Sequence, residues 1–253
     1  MNSEKEKKLI NEHRPEVIRE RLKRPARENI ISDAVLGGID GCVTTFAVVS
    51  GVVGAGLPPA VALVLGFANL IADGFSMAVS NYESIKTDRE FIQKIRNTEK
   101  EHIDNIPSGE REELRQIFNN KGFSGPVLEE IVDTISADKH LWIETMLTEE
   151  YGIQKTSRNP VKAASATFAS FVIIGSMPLI PFLVTGLEKN TQFFISASLA
   201  ALMFFAIGAM KSVMLSKSAI RSGMSTLLTG GTAAALAFFA GYALREIFGI
   251  AAL

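Results

Sequence analysis

The chain has 253 residues, 47% of them apolar, and a formal net charge of −1 at pH 7. The near-neutral total hides a segregation: long apolar runs alternate with charged blocks, where a soluble protein would spread short periodic stretches. The single cysteine, Cys42, lies inside an apolar run, which excludes an internal disulfide framework and a Cys-rich zinc site.

The segment from Met1 to Asn29 is charged throughout and lacks the apolar core of a secretory signal, so membrane insertion is expected to use later segments. Its nine Lys and Arg, among them Arg19, Arg21, Lys23, Arg24 and Arg27, are expected to lie along anionic lipid, with no nucleic-acid partner. A membrane-crossing helix needs about 20 predominantly apolar residues. Five segments qualify: about Ile31 to Gly54, Leu57 to Tyr82, Val161 to Leu187, Thr191 to Met210 and Ser222 to Leu244. Pro178 and Pro181 should kink the third, and Gly230 with Gly231 should loosen the fifth.

The fold class expected is therefore all-α: a multi-pass membrane protein with five spans. Residues 1–30 form the basic segment, 31–86 hold spans one and two, and 161–253 hold spans three to five. Residues 87–160 form a helical domain between spans two and three. The Lys/Arg bias of the loops, with none around Ala55 to Leu57 and only Lys189 after span three, against Lys211, Lys217 and Arg221 after span four, orients the chain. The N-terminus and the long loop fall in the cytoplasm and the C-terminus outside.

The long loop reads as four helical pieces: Asp88 to Ile106, ended by Pro107-Ser108-Gly109; Glu110 to Asn120, ended by Gly122; Val127 to Ser136, opened by Gly125-Pro126; and Asp138 to Tyr151, closed by Gly152. From Asp88 to Arg158 there are 15 Asp/Glu against 10 Lys/Arg, a net of −5.

Two groups of residues could carry chemistry. In the spans, Asp40 and Asp73 are carboxylates in apolar helices, each costing about 2.5–3.5 kcal/mol on insertion scales, and such residues usually face a bundle interior or an ion path. Asn69, Asp73 and Met77 recur every four residues and so share a face. A carboxylate, an amide oxygen and a thioether suit a borderline cation such as iron(II), although a methionine alone is an ordinary packing residue. Gly37 and Gly41 form a small-xxx-small pair that admits another helix closely, a dimer partner being one candidate.

In the loop, Glu99 with His102, Glu110 with Glu113, and Met146 with Glu150 each share a helix face. Carboxylates with one imidazole suit iron(II), manganese(II) or zinc(II); the plain alternative is a solvated charged surface. Glu99 to His102 also matches the Glu-x-x-His element of di-iron bundles, which need two such elements where this chain has one. No phosphate-binding glycine loop and no Ser/His/Asp set stands out, so neither an ATP-driven pump nor an enzyme is expected. A membrane-anchored metal-binding or ferroxidase protein that buffers iron is the second reading.

The stretch Asp33-Ala-Val-Leu-Gly-Gly-Ile-Asp40-Gly41, followed by Ala68-Asn-Leu-Ile-Ala-Asp73-Gly-Phe-Ser-Met77-Ala-Val-Ser-Asn-Tyr82, resembles the vacuolar iron transporter family, and Met146-Leu-Thr-Glu-Glu150-Tyr-Gly-Ile is similar to the end of that family's cytoplasmic domain. The resemblance covers nearly the whole chain from Glu28 onward. It implies a homodimer with five spans per subunit that exchanges cytoplasmic iron(II) for protons, with no permanently bound cofactor. It implies Asp40 and Met77 as metal ligands in the path at the dimer interface. It also implies a cytoplasmic metal-binding domain with ligands on Glu99, Glu110, Glu113, Met146 and Glu150. The chain departs from the family pattern at Asn69, His102 and Leu147. The membrane implied is the plasma membrane in a bacterium and the vacuolar membrane in a plant or fungus.

Overall fold

The computed structural model describes residues 3–23, 30–153, 158–215 and 218–249. Among them every regular element is a helix: α1 (Ser3–Glu12), α2 (Pro15–Lys23), α3 (Ile30–Gly54), α4 (Pro59–Asn105), α5 (Pro107–Asn120), α6 (Gly125–Ser136), α7 (Lys139–Glu149), α8 (Pro160–Gly175), a 3₁₀ segment (Met177–Leu183), α9 (Lys189–Leu215) and α10 (Ala219–Phe248). Four of these, α3, α4, α9 and α10, are long and apolar enough to cross a membrane, and α8 with the 3₁₀ segment makes a fifth when taken as one bent span. The chain divides into a unit of residues 29–84 and 159–253 and a unit of residues 1–28 and 85–158.

In the first of these units α3 is the central helix, packed against α8, α9 and α10. Its glycines explain why. A Cβ on Gly37 would stand 2.2 Å from the Thr167 carbonyl oxygen, and one on Gly41 2.4 Å from that of Phe171. Only hydrogen fits there, so α3 and α8 meet backbone to backbone. The helix that the Gly37/Gly41 pair admits is thus α8 of the same chain, not a partner. Cys42, Phe46, Val49, Phe171, Leu179 and Phe204 fill the core around this contact.

The bend expected at Pro178 and Pro181 is present: α8 and the 3₁₀ segment meet at 41°. Proline removes helical donors and frees carbonyls, and α9 answers them. Ser196 Oγ donates to the Pro178 carbonyl at 2.7 Å, and Gln192 Nε2 to that of Val184 at 3.3 Å. Gly230-Gly231, by contrast, does not break α10. The Phe204 ring of α9 lies where a Gly230 Cβ would be, 2.4 Å away, and steadies the helix there.

The largest departure from the sequence reading is α4. It was expected to end as a span near Tyr82 and restart as a separate helix at Asp88. It runs unbroken for 47 residues. From Glu83 to Ile106 polarity changes but neither glycine nor proline appears, so nothing in the backbone stops the helix until Pro107, which opens α5 at its first turn.

In the second unit, α5 to α7 follow the expected breaks. Gly122 and Gly152 take φ of +96° and +66°, and the Asp138 side chain caps α7 by accepting from the amides of His140 and Leu141 at 2.9 and 3.2 Å. Leu114, Val132 and Met146 are fully buried with Trp142, Ile95 and Ile103. Arg96–Glu144, Arg111–Asp133 and Lys139–Asp104 ion pairs tie the helices around this core. The N-terminal segment, read as a basic stretch lying along anionic lipid, forms α1 and α2 in its described residues, with Leu9, Ile10 and Leu22 exposed. Arg24, Arg27 and Lys217 lie outside the described residues.

Candidate functional site

In the apolar unit, Asp40 sits half-buried on α3, one turn before Thr44. Thr44 Oγ1 donates back to the Asp40 carbonyl at 2.9 Å and accepts from Asn69 Nδ2 of α4 at 3.1 Å. Helices α3 and α4 are therefore joined by a neutral hydrogen bond beside the carboxylate. Asp73, one turn beyond Asn69, is the charged group that acts on Asp40. Its own side chain is exposed, flanked by the exposed apolar side chains of Ile71 and Phe75. Met77 is half-buried and packs against the apolar core.

One buried carboxylate was passed over by the sequence reading, which named Asp33 only within the stretch that resembles the family. It is 4% exposed. Asn81 Nδ2 donates to Asp33 Oδ1 at 3.0 Å and to Thr167 Oγ1 at 2.8 Å, so α3, α4 and α8 converge on it. The available signal was two further polar residues, Asn81 and Thr167, inside apolar runs, where an unpartnered polar group is costly.

The second unit gathers acids. Glu99 on α4 and Glu110 on α5 are 1% and 4% exposed, and each has one carboxylate oxygen, Oε2, buried with no hydrogen-bond partner. Glu99 Oε1 accepts from the Tyr151 phenol at 2.9 Å. Glu110 Oε1 lies 3.3 Å from His102 Nδ1. Burial, together with the nearby charges of Glu113, Glu99 and Glu150, pushes the Glu110 carboxyl up to about 7, opposed by His102. The Glu150 carboxyl is raised by desolvation and by Glu99 and Glu113, and the Tyr151 phenol by burial and its acceptor Glu99.

The structure thus brings Glu99, His102, Glu110, Glu113 and Glu150 into one electrostatic cluster. Glu113 and Glu150 are on its exposed side, while Met146 lies fully buried in the apolar core. Among the described residues, no three His, Cys, Asp or Glu side chains stand close enough to hold one ion together. Tyr151 was the residue missed, because a phenol following Glu150 carries no spacing signal.

A family model described as the VIT family matches residues 31–242. The chain belongs to the VIT family. Proteins named vacuolar iron transporter are similar to it in Plasmodium berghei (31% identical over 220 residues, 83% of this chain and 81% of the relative) and in Toxoplasma gondii (28% over 228 residues, 87% and 76%). The protein named vacuolar iron transporter 2 in Oryza sativa is 27% identical over 248 residues, covering 97% of both chains. The VIT family match begins at the second residue of α3 and ends within α10, so it takes in every candidate residue above. With its apolar helices, this VIT family member is a multi-pass membrane protein.

Proposed function

We propose that the protein carries iron(II), or a divalent cation of like ligand preference such as manganese(II), out of the cytoplasm in exchange for protons. The observation that carries the reading is the pair Asp40 and Asp73, carboxylates on two helices apolar enough to cross a membrane. Two acids so placed are costly as structure and useful as cation ligands. The relatives named for vacuolar iron transport support the metal.

In this mechanism the N-terminus and the acidic unit face the cytoplasm. Glu99, His102, Glu110, Glu113, Met146 and Glu150 are its ligand set, and their charge raises the local cation concentration. The cation passes to Asp40 and Met77, with Asp73 and the Asn69 amide oxygen beside them. Protons arriving from the other side compete for the carboxylates and release it. The protein is a homodimer in this reading, supported by the exposure of Asp73 on an apolar face, where acyl chains would leave it unsolvated. Binding and transport need no covalent step, so no enzymatic activity is involved.

The test is cation uptake into proteoliposomes, comparing iron(II), manganese(II) and zinc(II). Iron(II) flux should follow an imposed pH gradient, and Asp40→Ala should abolish it. Flux indifferent to collapsing the gradient would remove the proton exchange. Iron(II) binding without flux would leave a membrane-anchored metal buffer in its place.

A further inference from the structure

We infer that Tyr151 is a positioning residue for Glu99: its phenol fixes one carboxylate oxygen and so presents the other, singly, to a divalent cation. This rests on the proposed role of the acidic unit in collecting the cation.

The geometry is specific. Glu99 projects from α4, and Tyr151 follows α7, 52 residues later in the chain. The turn that carries the tyrosine is itself pinned. The Glu150 amide donates to the Met146 carbonyl at 2.9 Å, and the Ile153 amide donates to that of Leu147 at 2.9 Å. Gly152 between them takes a φ of +66°, which a side chain would strain. The phenol is thus aimed at Glu99 by backbone hydrogen bonds, not by free rotation of a surface loop.

At Glu99 the consequence is asymmetric. Oε1 is engaged at 2.9 Å, whereas Oε2 is buried with no partner. A bare, buried carboxylate oxygen is costly unless something meets it. The arrangement recurs one helix away: His102 lies against Glu110 Oε1, and Glu110 Oε2 is bare. Two buried acids, on α4 and α5, therefore each have one oxygen engaged by a side chain that can donate and one left over. A carboxylate held in this way ligates through one oxygen and leaves room for further ligands on the same cation. The phenol has a single proton to give, and Glu99 Oε1 takes it. The ring adds no ligand of its own.

The experiment is titration of the full-length protein in detergent with manganese(II) alone, free ion being read by electron paramagnetic resonance. The variants are Tyr151→Phe, Glu99→Gln and the two combined. Groups that orient metal ligands typically account for 10–100-fold in affinity. Tyr151→Phe should weaken binding by about 10-fold or more, and should cost nothing further once Glu99→Gln is present. A tyrosine that only supports the fold would weaken both backgrounds alike, and that result, or wild-type affinity in Tyr151→Phe, overturns the inference. Wild-type protein that binds no manganese(II), or binds it equally after Glu99→Gln, overturns the acidic site itself, a pattern distinct from either. Should Tyr151→Phe fail to fold, the wild-type infrared difference spectrum decides. The Glu99 carboxylate bands, identified by their loss in Glu99→Gln, should split as for one-oxygen ligation; two-oxygen ligation overturns the inference.

Discussion

Around α3, the buried carboxylate of Asp33 is met by the neutral amide of Asn81, and the helices touch backbone to backbone through Gly37 and Gly41. In the unit of α5 to α7, the buried carboxylates of Glu99 and Glu110 each have one oxygen met by a side chain, Tyr151 or His102, and lie among the charges of other acids, and the helices pack through the large side chains of Leu114, Trp142 and Met146. The first arrangement leaves little slack, because backbone atoms at van der Waals contact cannot yield without moving a helix. The second spaces its helices with side chains and leaves two carboxylate oxygens bare. A fixed frame and a cluster under mutual repulsion suit different tasks: holding one geometry, and gathering around a cation.

The sharpest way to break this contrast is to add volume at the backbone contact. Gly41→Leu would drive a side chain into the Phe171 carbonyl, a backbone group that cannot turn aside; overpacking costs about 1–3 kcal/mol, occasionally more. A large fall in Tm in detergent, with loss of monodisperse protein, is expected; an unchanged Tm would mean that the α3–α8 contact is not what fixes the bundle. Removing volume from the other core should cost a comparable amount. Leu114→Ala empties a fully buried site, at about 2–5 kcal/mol, and hydrogen exchange should quicken across α5, α6 and α7.

The smallest effect is one of pH. The Glu110 carboxyl titrates near 7 in the fold, above its ordinary value of 4.5. Between those two values the folded chain retains a proton that the unfolded chain has lost. This contribution to stability is therefore complete below about 4.5 and is lost as pH rises through 7. Glu110→Gln should flatten that slope, by on the order of 1 kcal/mol between pH 5 and 8. Cation affinity should run the opposite way in the native protein, falling below pH 7 as protons take the same carboxylate. An equal slope in Glu110→Gln would show that burial and its acidic neighbours do not raise the Glu110 carboxyl.

Much of the fold was legible because its causes are local. Apolar runs long enough to cross a bilayer mark the spans, and Pro107, Gly122, Gly125-Pro126 and Gly152 mark the breaks between α4 and the end of α7. The continuity of α4 was not read, because polarity changes at Tyr82 while the backbone meets no obstacle before Pro107. Hydropathy reports which solvent a helix faces, not where it stops. The candidate acids were readable from type and spacing. Asp33 was not, nor were the polar groups beside the acids, Thr44, Asn81, Thr167 and Tyr151, since each acts on a residue 25 to 134 positions away or on a carbonyl that spacing does not reveal. The same limit applies to Gly37 and Gly41: small residues announce that a helix comes close, and only packing says that it is α8.

Trp142 is the chain's one tryptophan, 4% exposed in the core formed with Ile95, Leu114 and Met146. The apolar unit has none. Ultraviolet emission excited at the red edge of indole absorption therefore comes from the acidic unit alone, even with the whole protein in a bilayer. The molecule carries its own optical label, on α7 and packed in the same core as Ile95 and Leu114 of the helices that hold Glu99 and Glu110, and needs no dye to report what those helices do.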